Sequence, residues 1–352
     1  MSTAADTGTN VTSVNWSMSA ATRVLTVDAP EDQWLAERRK GIGGSDSINL
    51  LNLDDSPYYS PYKLWMDKTG RAKPQPQNNA MKMGKLLEPV IGELFREETG
   101  LRTRRAGLMR SKTETWMQVT LDGLCEDGGI LEKKTTTKWT DDAAKWLAGE
   151  VPDAAEVQSQ WGLAVTGRSH CWAMVLIDGR DYRLHRIERN QDLIDFITQL
   201  GRDFWTNNVL ADVPPPIDDA PATAEAVRHR FAESFPDAVL LADAAGKALV
   251  DAYRVAKAEA AAAEDRAEFL ATQLTDLLGR HEILKYDGKP IISRKQNGNF
   301  VESSFVRDEP ELAAEFMRYS LAVDLDKIKT ERPDLYRRFR SRALRLPKLK
   351  TN

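Results

Sequence analysis

The chain has 352 residues, 41% of them hydrophobic, and its 49 Lys and Arg against 53 Asp and Glu leave a net charge of −4. Such a length predicts about two domains and such an apolar content a buried core, while the absence of any run near the roughly 18 apolar residues of a membrane helix excludes a spanning segment of that kind. Two cysteines, Cys125 and Cys171, outside any Cys-x-x-Cys pair, exclude a disulfide framework or four-cysteine cluster and fit a reducing cytoplasm; the near-balanced charge leaves nucleic acid open, since a local basic patch can sit within an acidic sum.

Residues 1–30 are polar, without apolar periodicity and without the charged start and apolar centre of a secretion signal. They are expected to form a flexible arm. Beyond them the pattern predicts a helix at 32–40, a glycine turn in GIGGS, a short helix from Asp46 and a long loop through SPYYSPYKLW. In MGKLLEPVIGELFREETG, Leu87, Val90, Ile91, Leu94 and Phe95 fall at helical spacing and Gly100 closes the helix. LDGLCEDGGILEKK, residues 121–134, predicts two strands about a turn at Asp127, Gly128 and Gly129. A helix in AAEVQSQWGLAV follows, then strands CWAMVLI and YRLHRIE about Asp178-Gly179, then a helix in LIDFITQLGRDFW.

This alternation predicts an α/β domain over 31–210, a mixed central β-sheet flanked by helices. ADVPPPIDDAPAT, residues 211–223, is expected to be a semi-rigid linker, because its prolines forbid regular helix. Residues 224–352 are expected to be a mainly helical accessory domain. It would hold a long alanine- and charge-rich helix projecting as an arm or hairpin, a small strand pair about Gly288 and a basic tail, YRRFRSRALRLPKLK.

In a strand, residues two apart share a face, so Glu132 and Lys134 point one way and Lys133 the other. Asp122, across the turn, brings a second carboxylate toward Glu132, and with the Lys133 backbone carbonyl the set forms a hard oxygen site for Mg²⁺, with Mn²⁺ as an alternative. Without a cation, two close carboxylates repel and one takes up a proton. Lys134 beside them can hold and help deprotonate a water in metal-assisted phosphodiester hydrolysis. Glu88 precedes Pro89, which removes the hydrogen bond to the Lys85 carbonyl and tends to kink the helix; a third carboxylate there could complete the metal shell.

In GIGGSD the glycines, Gly44 among them, let backbone approach a ligand, and Ser45 stands at the expected start of the next helix. Its backbone N–H groups and Arg38, one turn earlier, suit a phosphate. Gln158 in EVQSQ can hydrogen-bond a water or phosphate. Tyr58, Tyr59, Tyr62 and Trp65 could stack on a frayed base or fill the core. The four histidines have no zinc-ligand spacing.

Taken in order, RRKGIGGSD, SPYKLWMDKTG, MGKLLEP, LDGLCEDGGILEKK and QSQWGLAVTG make the stretch from Trp34 to Trp205 resemble the phage lambda exonuclease or YqaJ-type viral recombinase nucleases, a branch of the PD-(D/E)xK superfamily. The resemblance implies a Mg²⁺-dependent exonuclease that digests linear duplex DNA from its 5′ ends. It would leave a 3′ single strand for an annealing partner, as a ring-shaped homo-oligomer around DNA in the host cytoplasm. Asp122 and Glu132 would be metal ligands supported by Glu88, Lys134 would orient the water, and Gln158 would position lysine or nucleophile. Arg38 and Ser45 would hold the 5′ phosphate. Leu121 stands where the superfamily signature has proline, which supplies no ligand, and Lys112 stands where some relatives have a further acid. An endonuclease of the same superfamily and a non-catalytic DNA-end-binding protein are the alternatives. The basic tail is expected to add phosphate contacts or dock a partner.

Overall fold

The computed structural model describes residues 14–51, 58–72, 78–235, 238–295, 302–312 and 325–338. Two compact units divide the chain, Met1–Phe231 and Ala232–Asn352.

In the first unit the elements run β1 (Ala21–Leu25), α1 (Glu31–Arg38), α2 (Gly44–Ser47), α3 (Pro61–Lys68), α4 (Asn79–Thr99), β2 (Thr103–Arg104), β3 (Leu108–Ser111), β4 (Gln118–Thr120), β5 (Gly123–Cys125) and β6 (Ile130–Thr136). Next come α5 (Asp141–Ala148), α6 (Asp153–Thr166), β7 (His170–Ile177), β8 (Asp181–Glu188), α7 (Gln191–Phe204) and α8 (Pro221–Arg230). The second unit holds α9 (Ala244–Leu278), β9 (Ile283–Tyr286), β10 (Lys289–Ser293) and three short helices, α10 (Glu302–Asp308), α11 (Leu325–Glu331) and α12 (Pro333–Arg338).

Five strands build the central sheet in the order β2-β5-β6-β7-β8. It is mixed, because β6 and β7 run parallel while the other neighbours are antiparallel. Strand alternation divides its side chains between two apolar layers. Leu131, Met174 and Leu176 pack with Ile91 and Phe95 of α4, whereas Ile130, Cys171, Ala173 and Val175 join the larger core that contains Trp161 and Leu163 of α6. The fold is therefore the mixed sheet flanked by helices that the sequence implies. Helix α6 is buried almost all round, as expected of a helix lying between other elements. A Cβ on Gly162 would stand 2.7 Å from Ile130 Cδ1, so glycine is what lets α6 lie this close to β6.

Three regions depart from the sequence reading. Residues 21–25, expected within the flexible arm, form β1 and pair with β3 in a second sheet, β1-β3-β4; residues 1–13 lie outside the described ones. The expected loop in SPYYSPYKLW contains α3, which Ser60 caps by accepting the Lys63 N–H at 3.2 Å, with Pro61 at its first position. Its Tyr62, Leu64, Trp65 and Met66 are buried. The break between units falls after Phe231 instead of within 211–223, because α8 is fastened to α3. Thr223 and Ser60 hydroxyls meet at 2.5 Å, Arg230 donates to the Tyr62 hydroxyl at 2.6 Å, and its guanidinium lies 4.8 Å above the Trp65 ring. Residues 339–352 of the basic tail lie outside the described residues. Among the described residues no helix is long and apolar enough to cross a membrane.

Candidate active site

Strand β6 delivers the first two site residues. Glu132 and Lys134 project toward α6, and Lys133 turns to the α4 side, where its Nζ lies 3.1 Å from where a Gly92 Cβ would stand. Asp122 precedes β5, whose pairing with β6 stops at Gly123 opposite Leu131. Beyond that last pair the Asp122 carboxylate takes over, accepting the Lys133 backbone N–H at 2.7 Å. The N–H and C=O of one strand residue leave on the same side, so the Lys133 carbonyl also faces Asp122.

Gln158 on α6 completes a closed triangle. Its Nε2 donates to Glu132 Oε1 at 2.6 Å, its Oε1 accepts from Lys134 Nζ at 2.6 Å, and Lys134 Nζ lies 2.8 Å from the same Glu132 oxygen. Each end of the amide thus meets the charge it suits, which fixes its orientation and holds the ammonium over the carboxylate.

The electrostatics carry an unresolved conflict. Burial, the neighbouring Glu132 charge and the more distant Glu88 push Asp122 up to about 7, although the Lys133 N–H and the Lys134 ammonium pull the other way. For Lys134, burial alone would lower the pKa, but the charge and hydrogen bond of Glu132, then Asp122, hold it above the ordinary lysine value. Its acidic neighbours thus favour the ammonium form of Lys134. The Tyr59 hydroxyl also lies within electrostatic reach of Lys134, a neighbour that spacing alone did not single out for this part.

Glu88 differs from expectation. Helix α4 runs through Pro89, and Gly84 and Gly92, one turn to either side of Glu88, bring the helix close to β6. Glu88 itself is exposed and is felt at Asp122 only as a charge. Among the described residues no three Asp, Glu, His or Cys side chains are gathered closely enough to hold a metal ion. What the site offers instead is two carboxylates in mutual repulsion with a backbone carbonyl on the same side. That donor set fits one hard divalent cation, whose charge would let both stay ionised.

The expected phosphate-binding group sits next door. Gly44 lies against Gln158, whose Cγ is 3.5 Å from where a Gly44 Cβ would stand. Ser45 is exposed, and Arg38, half-buried, is hydrogen-bonded to Asp46. Asp46 also accepts from Lys68 Nζ at 2.6 Å and from the Gly43 N–H at 3.0 Å. Burial would raise its pKa, but Lys68 and then Arg38 hold the carboxyl below its usual value. Lys68 Nζ also lies 3.6 Å from Asp67 Oδ2, so beside the glycine turn two cations are matched by two acids. Sequence reasoning missed Asp46 and Lys68, since a pair 22 positions apart leaves no local signal.

With this geometry in view, the relatives can be compared. Residues 33–169 match the YqaJ-like viral recombinase domain. Arg38, Gly44, Ser45, Asp46, Lys68, Glu88, Asp122, Glu132, Lys134 and Gln158 all lie within that span. The protein named YqaJ from Bacillus subtilis (strain 168) is 29% identical over 302 residues, which is 82% of this chain and 93% of that protein. Among solved structures, an alkaline exonuclease from Laribacter hongkongensis is 26% identical with a TM-score of 0.46, covering 52% of this chain and 94% of its own. A phage related exonuclease from Haemophilus somnus 129PT is 12% identical with a TM-score of 0.39, covering 49% of this chain and 96% of its own.

Other polar groups of the first unit are structural. At the β5–β6 turn Asp127 accepts from Trp172 Nε1 at 2.9 Å and pairs with His170 Nε2 at 3.0 Å, while Arg168 donates to the Cys125 and Gly129 carbonyls at 2.8 Å each. Both cysteines are buried, which pushes their thiols far up and leaves them unreactive. Of the aromatics that could stack on a base, Tyr62 and Trp65 are core; Tyr58 is exposed and Tyr59 half-buried.

Proposed function

We propose that this chain is a Mg²⁺-dependent exonuclease that degrades one strand of linear double-stranded DNA from its 5′ end and leaves a 3′ overhang. The observation that carries the reading is the Glu132–Gln158–Lys134 triangle facing Asp122. Two carboxylates in conflict with each other and an ammonium held above its ordinary pKa are the parts that metal-assisted phosphodiester hydrolysis requires.

A divalent cation held by Asp122, Glu132 and the Lys133 carbonyl would supply Lewis-acid polarisation of the phosphodiester. The chain's own residues do the rest. Lys134 donates to the attacking water and fixes its direction, Gln158 keeps Lys134 and Glu132 in register, and Glu88 adds negative charge from the α4 side. Arg38 and Ser45, with Gly44 against Gln158, place a 5′ phosphate within reach of that water, and Lys68 supports them through Asp46. The polarity of digestion, the ring-shaped homo-oligomer around duplex DNA, the hand-over of the 3′ strand to a single-strand annealing protein and the setting in a bacterial host's cytoplasm rest on the resemblance to exonucleases of the lambda type.

One assay tests the reading. Linear duplexes with 5′-phosphate or 5′-hydroxyl ends and a closed circle are incubated with and without Mg²⁺. The expected outcome is loss of the 5′-ended strands of the linear duplexes in Mg²⁺ alone. Cutting of the circle would favour an endonuclease, and end binding without nucleotide release a non-catalytic protein.

A further inference from the structure

The accessory unit contains an apolar surface that the other described elements of that unit leave exposed. Helix α9 is 35 residues long, and from Leu249 through Tyr253, Ala256 and Ala260 to Leu277 an apolar residue recurs at alternating intervals of four and three without a break. That mean period of 3.5 is the seam of a left-handed coiled coil, tighter than the 3.6 of a helix laid on a core. The seam faces solvent: Leu249 is 73% exposed, Leu270 51% and Leu277 66%. It is about 42 Å long at about 1.5 Å per residue. The other helices described in this unit have seven, seven and six residues, too few to cover it.

We infer that α9 pairs antiparallel with α9 of a second copy of this chain. Charge selects the partner and the direction. Lys257 and Glu264 border the seam on one side and Glu259 and Arg266 on the other, and among the described residues none of these four forms an ion pair. In a parallel, in-register pair, each Glu259 faces Glu264 of the other copy, a repulsion repeated twice. In an antiparallel pair with Ala260 opposite Ala263, Lys257 falls beside Glu264 and Glu259 beside Arg266, four attractions in all.

The same register matches size with size. Leu249 stands opposite Leu274, Tyr253 opposite Leu270 and Ala256 opposite Ala267, so the helices approach closely at the alanine centre and are held apart by larger side chains at both ends. Both ends also carry further exposed apolar residues. Val239, Leu240 and Leu241 precede α9, and Ile283 and Ile291 lie on the β9–β10 hairpin after it. Antiparallel pairing brings the first group of one copy to the hairpin of the other. The pairing is independent of the proposed nuclease activity, and a ring built through the first unit would be a separate contact.

Cysteine cross-linking of the full-length protein tests it, since native Cys125 and Cys171 are buried. Chains carrying Ala256→Cys and chains carrying Ala267→Cys are mixed and mildly oxidised. A disulfide-linked dimer is expected in the mixture and in the double variant. Neither single variant should link to itself, because its two copies stand about 16 Å apart along the axis. Self-linking of Ala256→Cys would mean a parallel pair, and no linked species in the mixture would mean no pairing; either overturns the inference. Sedimentation gives the second readout. Lys257→Glu should weaken self-association about tenfold and Lys257→Glu/Glu264→Lys should restore it; equal association of all three proteins would remove the electrostatic argument.

Discussion

The two units treat apolar residues in opposite ways. In the first, Trp65, Trp161, Phe95 and Leu131 are wholly buried, and the polar residues of the candidate site are held by packing from both sides of one sheet. In the second, Leu249, Phe269, Leu270 and Leu277 lie along a helix that no other described element of that unit covers. Fixed geometry follows from the first arrangement, because a buried strand and a buried helix leave Glu132, Lys134 and Gln158 few alternatives. An incomplete surface follows from the second. The proposed chemistry thus falls on the packed unit and the inferred pairing on the open one.

Substitutions sharpen that contrast. The largest effect is expected where the site's charges are removed without disturbing the core. Glu132→Gln or Lys134→Ala should lower the rate of nucleotide release on linear duplex DNA by about 10³-fold or more while DNA-end binding in Ca²⁺ persists. Full activity in either variant breaks the assignment. Gln158→Ala removes the amide that joins Lys134 to Glu132, so its rate should fall about 10- to 100-fold with a smaller change in end binding.

Packing changes come next. Gly162→Val forces a side chain against Ile130 Cδ1 and pushes α6 from β6. It should destabilise the first unit by about 1–3 kcal/mol in denaturant titration, and activity should fall in the protein that remains folded. A matching change in α9, Ala263→Gly, should cost about 1 kcal/mol of helix stability and leave the first unit's unfolding midpoint unchanged.

Asp122 gives the most diagnostic stability effect, because it depends on pH. Its folded pKa is raised to about 7 from an ordinary 3.8, so the folded state binds the proton more tightly than the unfolded one. Stability from this group is present below pH 4 and is lost as pH climbs toward 7. Asp122→Asn should therefore stabilise the metal-free protein at pH 8 by about 1–2 kcal/mol, and by much less at pH 4. An equal effect at both pH values would mean that no carboxylate conflict exists.

Much of the first unit was legible in the sequence. The turn at Asp178-Gly179 between two apolar runs specified the β7–β8 hairpin, and the apolar spacing with Gly100 specified the end of α4. Glu132, Lys134 and Asp122 were legible because strand alternation and one tight turn fix their relation within 13 residues. What escaped depends on distant partners. Strand β1 exists because it pairs with β3, some 85 residues later, and nothing local separates it from a polar arm. Helix α3 was hidden behind paired Ser-Pro steps that read as loop, although Ser60-Pro61 is also a helix-start signal. The Asp46–Lys68 pair and the hold of α8 on α3 arise only when the chain has folded. For α9 the helix was evident, but its seam emerges from the alternation of fours and threes and gains its meaning from exposure.

The central claim is that Asp122 and Glu132 share one divalent cation beside the Lys134 ammonium. Mn²⁺ binding, followed by electron paramagnetic resonance at pH 6.5 together with proton release, tests this most directly. The wild-type chain should take up Mn²⁺ and release part of a proton, with both signals lost in Asp122→Asn and the affinity sharply reduced in Glu132→Gln. Uptake of the ion with unchanged affinity in both variants would contradict the account.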